Sequence, residues 1–246
     1  QGVELGNARE ELREFLEKAN IPAARTMLGL SALPSSHPLN MGMLGMHGNL
    51  APNLKQQEAD VVIAIGMRFS DRVTGKLDTY LKQAKVIHMD IDNAEINKNV
   101  NVDVPIVADC KESLPLLTSL LSEADHSDWI ESFKPLQQRE RSRVVDKAIH
   151  PTEGKLLMGE VVNAVAEVTK GKAITVTDVG QNQLFATRYS KFDTPRSVIT
   201  SGGLGTMGFG LPAAIGATFA EKERPVCLFL GDGGLQMTIQ EFGTIM

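Results

Sequence analysis

The sequence predicts an α/β fold made of two Rossmann-like domains, each built on a parallel β-sheet. The first observation is a series of short apolar runs at residues 61–66, 86–92 and 104–109, which are typical of strands buried on both faces. The second observation is that helical patterns separate these runs, as crossover connections between parallel strands require. Further apolar runs at 173–177 and 226–230 indicate a second sheet.

The first domain is predicted to cover residues 1–126 and to lack its first strand, because an α/β domain usually begins with a strand and this chain begins with a turn-like segment followed by a helix. Asn7 is the predicted N-cap of that helix. Apolar residues at helical spacing are predicted to form its inward face, namely Ala8, Leu12, Phe15, Leu16 and Ala19. An extended segment at 21–27 precedes a predicted loop that continues to residue 53.

The carboxyl-terminal part of the first domain is predicted to be helical over residues 111–124. Leucines at helical spacing are expected to point inward there, namely Leu114, Leu116, Leu117, Leu120 and Leu121. Residues 127–150 predict a linker helix that packs on the domain surface, with Trp129, Ile130 and Phe133 at helical spacing.

The second domain, residues 151–246, is predicted to be the amino-terminal part of a larger domain, because a helix that begins near Thr238 stops at the last residue. Its predicted helices cover about 155–169 and 211–220. Its predicted strands cover 173–177, 197–200 and 226–230.

The composition excludes several classes of protein. With 25 basic and 30 acidic residues, a net charge of −5 and no basic block, the chain is not expected to bind nucleic acid or an anionic membrane over a wide surface. No apolar run reaches transmembrane length, and no signal-peptide pattern is present. Cys110 and Cys227 are predicted to be buried thiols in the reducing cytoplasm.

Residues 200–234 carry the strongest functional pattern. Glycines at 202, 203, 205, 208 and 210 precede a helix, and free N–H groups that lead into a helix N-terminus offer a seat for phosphate. Asp232 follows an apolar strand and stands between Gly231 and Gly233, where it has little to pack against. Because Mg²⁺ prefers carboxylate and phosphate oxygens, the two patterns together indicate a diphosphate held with a divalent ion.

Two other interpretations of this stretch remain open. The spacing Gly203-x-Gly205-x-x-Gly208 formally matches a dinucleotide-binding motif, with Asp232 near the place of a ribose-binding acid. Against this, such an acid should end its strand alone and not between two glycines. The other interpretation is structural, with a glycine-rich turn and a tight exit from a strand.

Two loops after predicted strand positions are further candidates, because open α/β sheets bind ligands at strand ends. Residues 42–48 are rich in glycine and methionine, and alternatively form a flexible loop with methionines as gap-fillers. Residues 66–75 carry Arg68 and Arg72, each able to clamp a phosphate or carboxylate. The alternative for Arg72 is a surface pairing with Asp71 that contributes little stability.

A third candidate group consists of acids at the end of the strand at 86–92. Asp90 and Asp92, with Glu95 nearby, suit the hydroxyl groups of a ribose. The alternative is that Asp92 or Asn93 caps a following helix. Histidines elsewhere in the chain are interpreted as structural.

These motifs resemble the catalytic large subunits of acetolactate synthases, also called acetohydroxyacid synthases, a family of thiamine-diphosphate enzymes. The Gly-Asp-Gly motif alone is typical of the whole thiamine-diphosphate superfamily, whereas the longer motifs favour this family. The matching motifs are LGMHG at 44–48, RFSDRVTGKL at 68–77, HMDIDNAEINKN at 88–99, TDVGQNQLF at 177–185, TSGGLGTMGFGLPAAIGA at 200–217 and GDGGLQMTIQEF at 231–242.

The resemblance implies a role for each matching residue. FAD, which is largely structural in this family, is expected to contact the first domain at His47, Gly48, Gly66, Arg68, Asp90, Asp92 and Asp109. Arg72 matches the arginine that holds the carboxylate of the second 2-ketoacid. Thiamine diphosphate is expected at Gly180, Gln181, Asn182, Gly205, Met207, Gly231 and Gly233, and Mg²⁺ at Asp232. The residues expected to take part in catalysis are Arg72, Gln181 and Met207.

The implied activity is decarboxylation of pyruvate and carboligation to a second 2-ketoacid, pyruvate or 2-oxobutyrate, in the biosynthesis of branched-chain amino acids. The implied assembly is a homodimer or tetramer, and a regulatory small subunit is left open. The alternatives are another thiamine-diphosphate enzyme, such as a pyruvate oxidase or a 2-ketoacid decarboxylase, and a non-catalytic nucleotide-binding module.

Three departures from the family pattern qualify this expectation. Asn182 stands where the family commonly has His, and Ser70 where it commonly has Asp. The chain also stops 14 residues after Asp232, before the Asn that completes the metal motif in the family. The glutamate that activates the cofactor would lie in a domain upstream. We therefore expect this stretch of sequence to be inactive by itself.

Overall fold

The computed structural model describes residues 1–151 and 154–246, which form two compact units, residues 1–140 and 141–246. All strand pairs in both units are parallel, so the predicted α/β fold class is confirmed. The break between the units falls after Glu140, inside the segment predicted as a linker. The domain limits predicted at 126 and 150 stay predictions.

The first unit contains five strands and seven short helices among its described residues. The strands are β1 (Ala23–Arg25), β2 (Asn40–Met43), β3 (Val61–Ile65), β4 (Lys85–Asp90) and β5 (Val104–Val107). The helices are α1 (Gly2–Leu5), α2 (Arg9–Ala19), α3 (Leu50–Lys55), α4 (Asp71–Thr74), α5 (Cys110–Leu120), α6 (Ser127–Glu131) and α7 (Lys134–Glu140). Single 3₁₀ turns lie at Met27–Gly29, Leu77–Thr79 and Asn93–Glu95.

The strands of this unit form two separate parallel sheets, one with the order β1-β2 and one with the order β3-β4-β5. Helices α2 and α5 pack on the sheets and share one core with Met89 of β4. The predicted inward face of α2 is confirmed, since all five of its residues are buried. The apolar stripe therefore positions α2 as expected from its helical spacing.

Two details of the predicted helices are wrong. Asn7 does not cap α2, because it takes a positive φ of 53° in the turn before the helix and Ala8 occupies the cap position. In α5, Leu116 and Leu120 are exposed, while Leu114 is fully buried. The helix begins at Cys110, one residue earlier than predicted, and only one side of its leucine-rich surface faces the core.

The predicted loop before residue 53 contains two elements that sequence patterns did not reveal, the strand β2 and the helix α3. Asn49 and Asn53 explain why this glycine-rich stretch is ordered. The Asn49 side chain accepts a hydrogen bond from the Met43 N–H at 2.8 Å. Asn53 accepts from the Gly45 N–H at 3.0 Å and donates to the Gly45 carbonyl at 2.8 Å. Residues 42–48 are therefore held through Met43 and Gly45.

The segment predicted as one linker helix is divided into α6, α7, a π-helical turn at Arg141–Val145 and α8 (Asp146–Ile149). Within the first unit, Trp129 and Phe133 stack edge to face with centroids 5.5 Å apart and pack against Met41 and Ala51. The buried Glu140 carboxylate accepts the Leu50 N–H at 2.9 Å and so supports the start of α3.

A cavity of about 420 Å³ lies between β1 and β3 and is lined by every residue of both strands. On the edge away from the cavity, β1 pairs with β2 and β3 pairs with β4. The prediction that residues 61–66 are buried on both faces is wrong, because Val61 is 48% exposed and only Ala64 of the strand is buried. The same prediction for residues 104–109 is wrong as well, because Val104 and Val107 of β5 are exposed. The cavity therefore separates two unpaired strand edges.

The second unit contains three strands and further helices among its described residues. The strands are β6 (Ile174–Thr177), β7 (Val198–Thr200) and β8 (Val226–Phe229), in the order β7-β6-β8. The helices are α8, α9 (Met158–Val168), α10 (Gln181–Tyr189), α11 (Gly210–Ala220), α12 (Asp232–Met237) and α13 (Phe242–Ile245), with a 3₁₀ turn at Ile239–Glu241. The helix predicted from Thr238 is wrong in its start, because this segment begins with the 3₁₀ turn and α13 starts only at Phe242.

Both cysteines are free thiols, but only Cys110 is buried, so the prediction of two buried thiols is wrong for Cys227. Burial raises the pKa of Cys110 to about 11, and the nearby Asp109 and Asp90 carboxylates add to the shift. Burial also raises the pKa of Cys227. Within the part of the chain that the structure describes, no helix is long and apolar enough to cross a membrane.

The first unit yields a test of the strand predicted before Gln1, which stays a prediction. The Gly2 N–H donates to the Gly66 carbonyl at 2.7 Å, so polypeptide joined to Gln1 could run parallel to β3 through the cavity. Adding five β-branched apolar residues before Gln1 should raise the melting temperature by about 4 °C or more, because their burial outweighs the ordering cost. Calorimetry against a five-residue Gly/Ser extension checks this, and equal melting temperatures would contradict it.

Candidate active site

The second unit brings its predicted ligand-binding residues to one edge of the sheet. Because β6, β7 and β8 are parallel, the turns that follow them, residues 178–180, 201–209 and 230–231, meet at their carboxyl ends. Gly180, Asn182, Gly205, Met207, Gly231, Asp232 and Gly233 all belong to these turns or to the first turns of the helices that follow them. Open α/β sheets bind ligands at this edge.

Glycines allow these turns to lie close together, because a side chain at these positions would contact a neighbouring turn. A Cβ on Gly180 or Gly231 would lie 3.5 or 3.6 Å from the Asn182 side-chain nitrogen. A Cβ on Gly233 would lie 3.3 Å from the Met207 methyl group, and one on Gly205 would lie 4.0 Å from a Val179 methyl group. The glycines therefore leave a shallow space bordered by Asn182 and Met207.

The Asn182 side chain, which borders this space, carries an unsatisfied polar atom. Its residue is 8% exposed, and its side-chain oxygen has no hydrogen-bond partner among the described residues. Its side-chain nitrogen donates weakly to the Val179 carbonyl at 3.4 Å. Because a buried acceptor without a donor costs about 1–3 kcal/mol, a bound donor would stabilise this site.

Asp232 is exposed and available to a ligand. It occupies the first position of α12, and one of its carboxylate oxygens accepts the Gly233 N–H at 2.9 Å. The described residues contain no group of three or more His, Cys, Asp or Glu side chains that could hold a metal. Asp232 can therefore contribute one ligand to a hard cation, and the others would have to come from elsewhere.

The phosphate seat predicted at the start of α11 stays a prediction, and several of the N–H groups there already have partners within the protein. The Gly208 and Gly210 N–H groups donate to the buried Asp178 carboxylate at 3.2 and 2.8 Å. The Thr206 N–H donates to the Ser201 hydroxyl at 3.0 Å. These three N–H groups therefore bind acceptors within the protein and are not free to bind a phosphate.

A buried polar layer beneath the site was not predicted from the sequence. The Thr177 and Thr200 hydroxyls are 2.7 Å apart across β6 and β7, and the Gln183 side chain donates to Thr200 at 2.7 Å. Gln181 is exposed on the first turn of α10. Alternation within such short strands gives no signal for this layer.

The first unit brings two of its candidate groups together. The Met46 N–H donates to the Arg72 carbonyl at 2.9 Å, and the Arg72 guanidinium lies 3.8 Å from the Met46 sulfur. The Asp71 carboxylate accepts the Arg72 backbone N–H at 3.0 Å, and no salt bridge of Asp71 with Arg72 occurs in residues 1–151. His47 and Arg68 are exposed, whereas Gly48 is half-buried and Gly66 is buried.

Two polar side chains hold the backbone of the segment at 66–72. The fully buried His88 lies 2.9 Å from the Met67 carbonyl oxygen through its Nε2 atom and packs edge to face on Phe69. Asn99 donates to the Phe69 carbonyl at 2.7 Å. These contacts hold the backbone before Arg72, so the interpretation of His88 as structural agrees with its position.

The three acids predicted to contact FAD each hold a backbone N–H group. Asp90 accepts from the Asp92 N–H at 2.9 Å, and Asp92 accepts from the Ala94 N–H at 2.9 Å as the cap of a 3₁₀ turn. Asp109 accepts from the Lys111 N–H at 2.7 Å and caps α5. Each carboxylate has further acceptor sites, so these caps leave room for a ligand hydroxyl.

Comparison with known proteins identifies both units. Residues 1–117 match the central domain of thiamine pyrophosphate enzymes, and residues 178–246 match their C-terminal TPP-binding domain. The chain belongs to the thiamine pyrophosphate enzymes. The candidate site at the β7-β6-β8 edge lies largely within the second match.

The chain is also similar to acetolactate synthase large subunits. It is 43% identical to a probable acetolactate synthase large subunit of Methanococcus aeolicus over 99% of its own length and 43% of that protein. Against the large subunit of Lactococcus lactis the identity is 42%, over 99% of this chain and 42% of the other. Against isozyme 1 of Escherichia coli it is 44%, over 97% and 42%.

These identities confirm the resemblance predicted from the motifs. The chain spans less than half the length of the curated relatives that it matches. The roles assigned to single residues remain predictions.

The geometry of α11 gives a paired mutational test. In Gly210→Ala the new Cβ would lie 2.9 Å from the Asp178 nitrogen, so we expect a loss of about 1–3 kcal/mol in the free energy of unfolding through overpacking. Gly216 is on the same helix with no neighbour within 4 Å, so Gly216→Ala should stabilise by about 1 kcal/mol. Chemical denaturation of both variants checks these opposite signs, and two changes of equal sign would contradict them.

Proposed function

We propose that this chain is part of an acetolactate synthase. The proposed activity is thiamine-diphosphate-dependent decarboxylation of pyruvate and carboligation to a second 2-ketoacid, pyruvate or 2-oxobutyrate, in branched-chain amino-acid biosynthesis. The observation that carries the proposal is the meeting of the Gly-Asp-Gly turn with the 178–182 and 201–209 turns at one sheet edge. The similarity to acetolactate synthase large subunits along nearly the whole chain favours this activity over other thiamine-diphosphate enzymes.

The residues at this edge fit thiamine diphosphate. Glycines at 180, 231 and 233 leave backbone accessible, and the Asn182 side chain borders the space through its nitrogen. Met207, next to Gly233, presents an apolar wall for the aromatic part of the cofactor. The cofactor supplies the electron sink for decarboxylation. The chain's own residues would bind and orient it.

Asp232 fits a Mg²⁺ ion bound together with the diphosphate. Its carboxylate is exposed and accepts one hydrogen bond, from the N–H of its neighbour Gly233. Mg²⁺ usually takes one or two carboxylates and completes its octahedron with water and phosphate oxygens. One protein ligand from this chain is compatible with that preference.

In the first unit, we propose that FAD binds at the carboxyl edge of β3, β4 and β5. The acids Asp90, Asp92 and Asp109 have acceptor capacity left after capping, which suits ribose hydroxyls. His47, Gly48, Gly66 and Arg68 lie in the two loops at residues 44–48 and 66–72, which contact each other through Met46 and Arg72. Arg72 is proposed to hold the carboxylate of the second ketoacid.

The proposed assembly is a homodimer or tetramer. The naming of the relatives as large subunits supports a regulatory small subunit as a further partner. A cytoplasmic location is supported by the two free thiols, since disulfides are rare in reducing compartments. The proposed partners are small 2-ketoacids, with neither nucleic acid nor membrane.

Asp232 can be tested in a chimaera in which this chain replaces the matching segment of the Escherichia coli isozyme 1 large subunit. Asp232→Ala should weaken Mg²⁺-dependent binding of thiamine diphosphate at least about tenfold, because the cation loses its carboxylate. Calorimetric titration measures the affinity. Glu223→Ala, which removes another exposed charge of the same unit, is the control. Equal affinities of the two variants would count against the metal role.

Arg72 can be tested in the same chimaera by following both half-reactions. Arg72→Lys keeps the charge but loses the planar fork, so acetolactate formation should fall about tenfold more than release of CO₂ from the first pyruvate. Arg68→Lys is the matched control and should change flavin affinity without changing this ratio. Equal losses in both half-reactions would show that Arg72 serves the flavin or the fold. Acetaldehyde as the main product of the parent chimaera would favour a decarboxylase.

A further inference from the structure

The Asp178 carboxylate is the most deeply enclosed charge next to the candidate site. Asp178 follows the last residue of β6 and is 0% exposed. One of its oxygens accepts the Val179 and Gly208 N–H groups at 2.8 and 3.2 Å, and the other accepts the Gly210 N–H at 2.8 Å. A buried carboxylate is tolerated only when hydrogen bonds compensate it, and here three backbone donors do so.

The partner of this charge is the amino end of α11. Gly210 is the first residue of this eleven-residue helix, where the helix dipole favours a negative charge. The Asp178 carboxylate therefore occupies the place that an anionic ligand would take at a free helix N-terminus. Its own backbone N–H is also fixed, since it donates to the Phe229 carbonyl at 2.9 Å.

Two glycines allow the backbone to lie close to Asp178. A Cβ on Gly234 would lie 2.6 Å from an Asp178 carboxylate oxygen, so the first turn of α12 can approach only without a side chain there. A Cβ on Gly210 would collide with the Asp178 backbone at 2.9 Å. Asp178 thus contacts the glycine loop from one side and the turn that carries Asp232 from the other.

We propose that Asp178 is a positioning residue that sets the distance between the 201–209 loop and the 231–234 turn, and so places Met207 and Asp232 for the cofactor. This inference rests on the proposed function. Asp178 acts through the backbone of Gly208, Gly210 and Gly234 and does not contact the ligand itself. By filling the amino end of α11, it also directs an anionic ligand toward the other two turns.

The two oxygens make Asp the residue required at this position. Asn has the same shape but presents one oxygen and one NH₂ group, and an NH₂ group cannot accept the N–H that points at it. In Asp178→Asn, the amide oxygen can keep the Val179 and Gly208 donors, and Gly210 then loses its acceptor. In Asp178→Ala, all three N–H groups lose their acceptor. The substitution also leaves a cavity that a small carboxylate ion could fill.

Amide hydrogen exchange in the full chain tests the proposal without any cofactor. In Asp178→Ala, protection of the Gly208 and Gly210 amides should fall at least about tenfold relative to the core strands, as expected for a lost hydrogen bond. Formate, but not chloride at equal ionic strength, should restore that protection. In Asp178→Asn, Gly210 should lose protection while Gly208 keeps it. Val176→Ala, a fully buried truncation on the same strand, is the matched control for general destabilisation.

Either of two results would overturn the proposal. Gly208 and Gly210 amides that stay protected in Asp178→Ala would show that the carboxylate does not hold the loop. Equal effects of Asp178→Ala and Val176→Ala on these amides, without rescue by formate, would reduce Asp178 to an ordinary core residue.

Binding of thiamine diphosphate with Mg²⁺ is then measured in the chimaera. If the exchange results hold but Asp178→Asn binds the cofactor as tightly as its parent, Asp178 does not position the site. If the parent chimaera binds no cofactor, the proposed function fails while the role of Asp178 in holding the loop stands.

Discussion

Parallel pairing of the strands is the constraint on which both candidate sites depend. In a parallel sheet, every strand points its carboxyl end to the same edge, and the connections return to the other edge through helices. The β3-β4-β5 sheet thereby collects Gly66, Asp90 and Asp109 at one edge. The β7-β6-β8 sheet collects the turns that contain Asp178 and Asp232 in the same way. Parallel pairing alone therefore brings residues that are far apart in the sequence to the same edge, even where their side chains do not touch.

Burial and hydrogen bonding separate the structural acids at these edges from those that can serve a ligand. Asp178 is fully buried and accepts three backbone N–H groups, so its acceptor capacity is directed inward. Asp232 is exposed and accepts one N–H group from its own neighbour. The two residues look equivalent in sequence, since each follows a short apolar strand and precedes a glycine within two residues. Only the first has a charge that the fold itself requires.

Local sequence patterns predicted most strands and the edges at which the sites lie, because runs such as 61–66 and 226–230 are apolar without interruption. The strand β2 escaped prediction because Asn40–Met43 contains a glycine and no β-branched residue. The role of Asp178 escaped it for a different reason. Its donors Gly208 and Gly210 lie about thirty residues away, and a spacing pattern cannot show that they turn back toward β6. Leu116 and Leu120 show the same limit, since helical spacing cannot tell how wide the covered face is.

A local conflict in the second unit lies at Asn182. Its neighbours Gln183, Thr177 and Thr200 form a satisfied polar layer, whereas the buried Asn182 oxygen has no donor among the described residues. Natural sequences tolerate such a conflict mainly where function requires it. Leaving the oxygen unpaired costs about 1–3 kcal/mol. The same unit thus satisfies the Asp178 carboxylate with three backbone N–H groups and leaves the Asn182 oxygen, four residues further along the chain, without a donor.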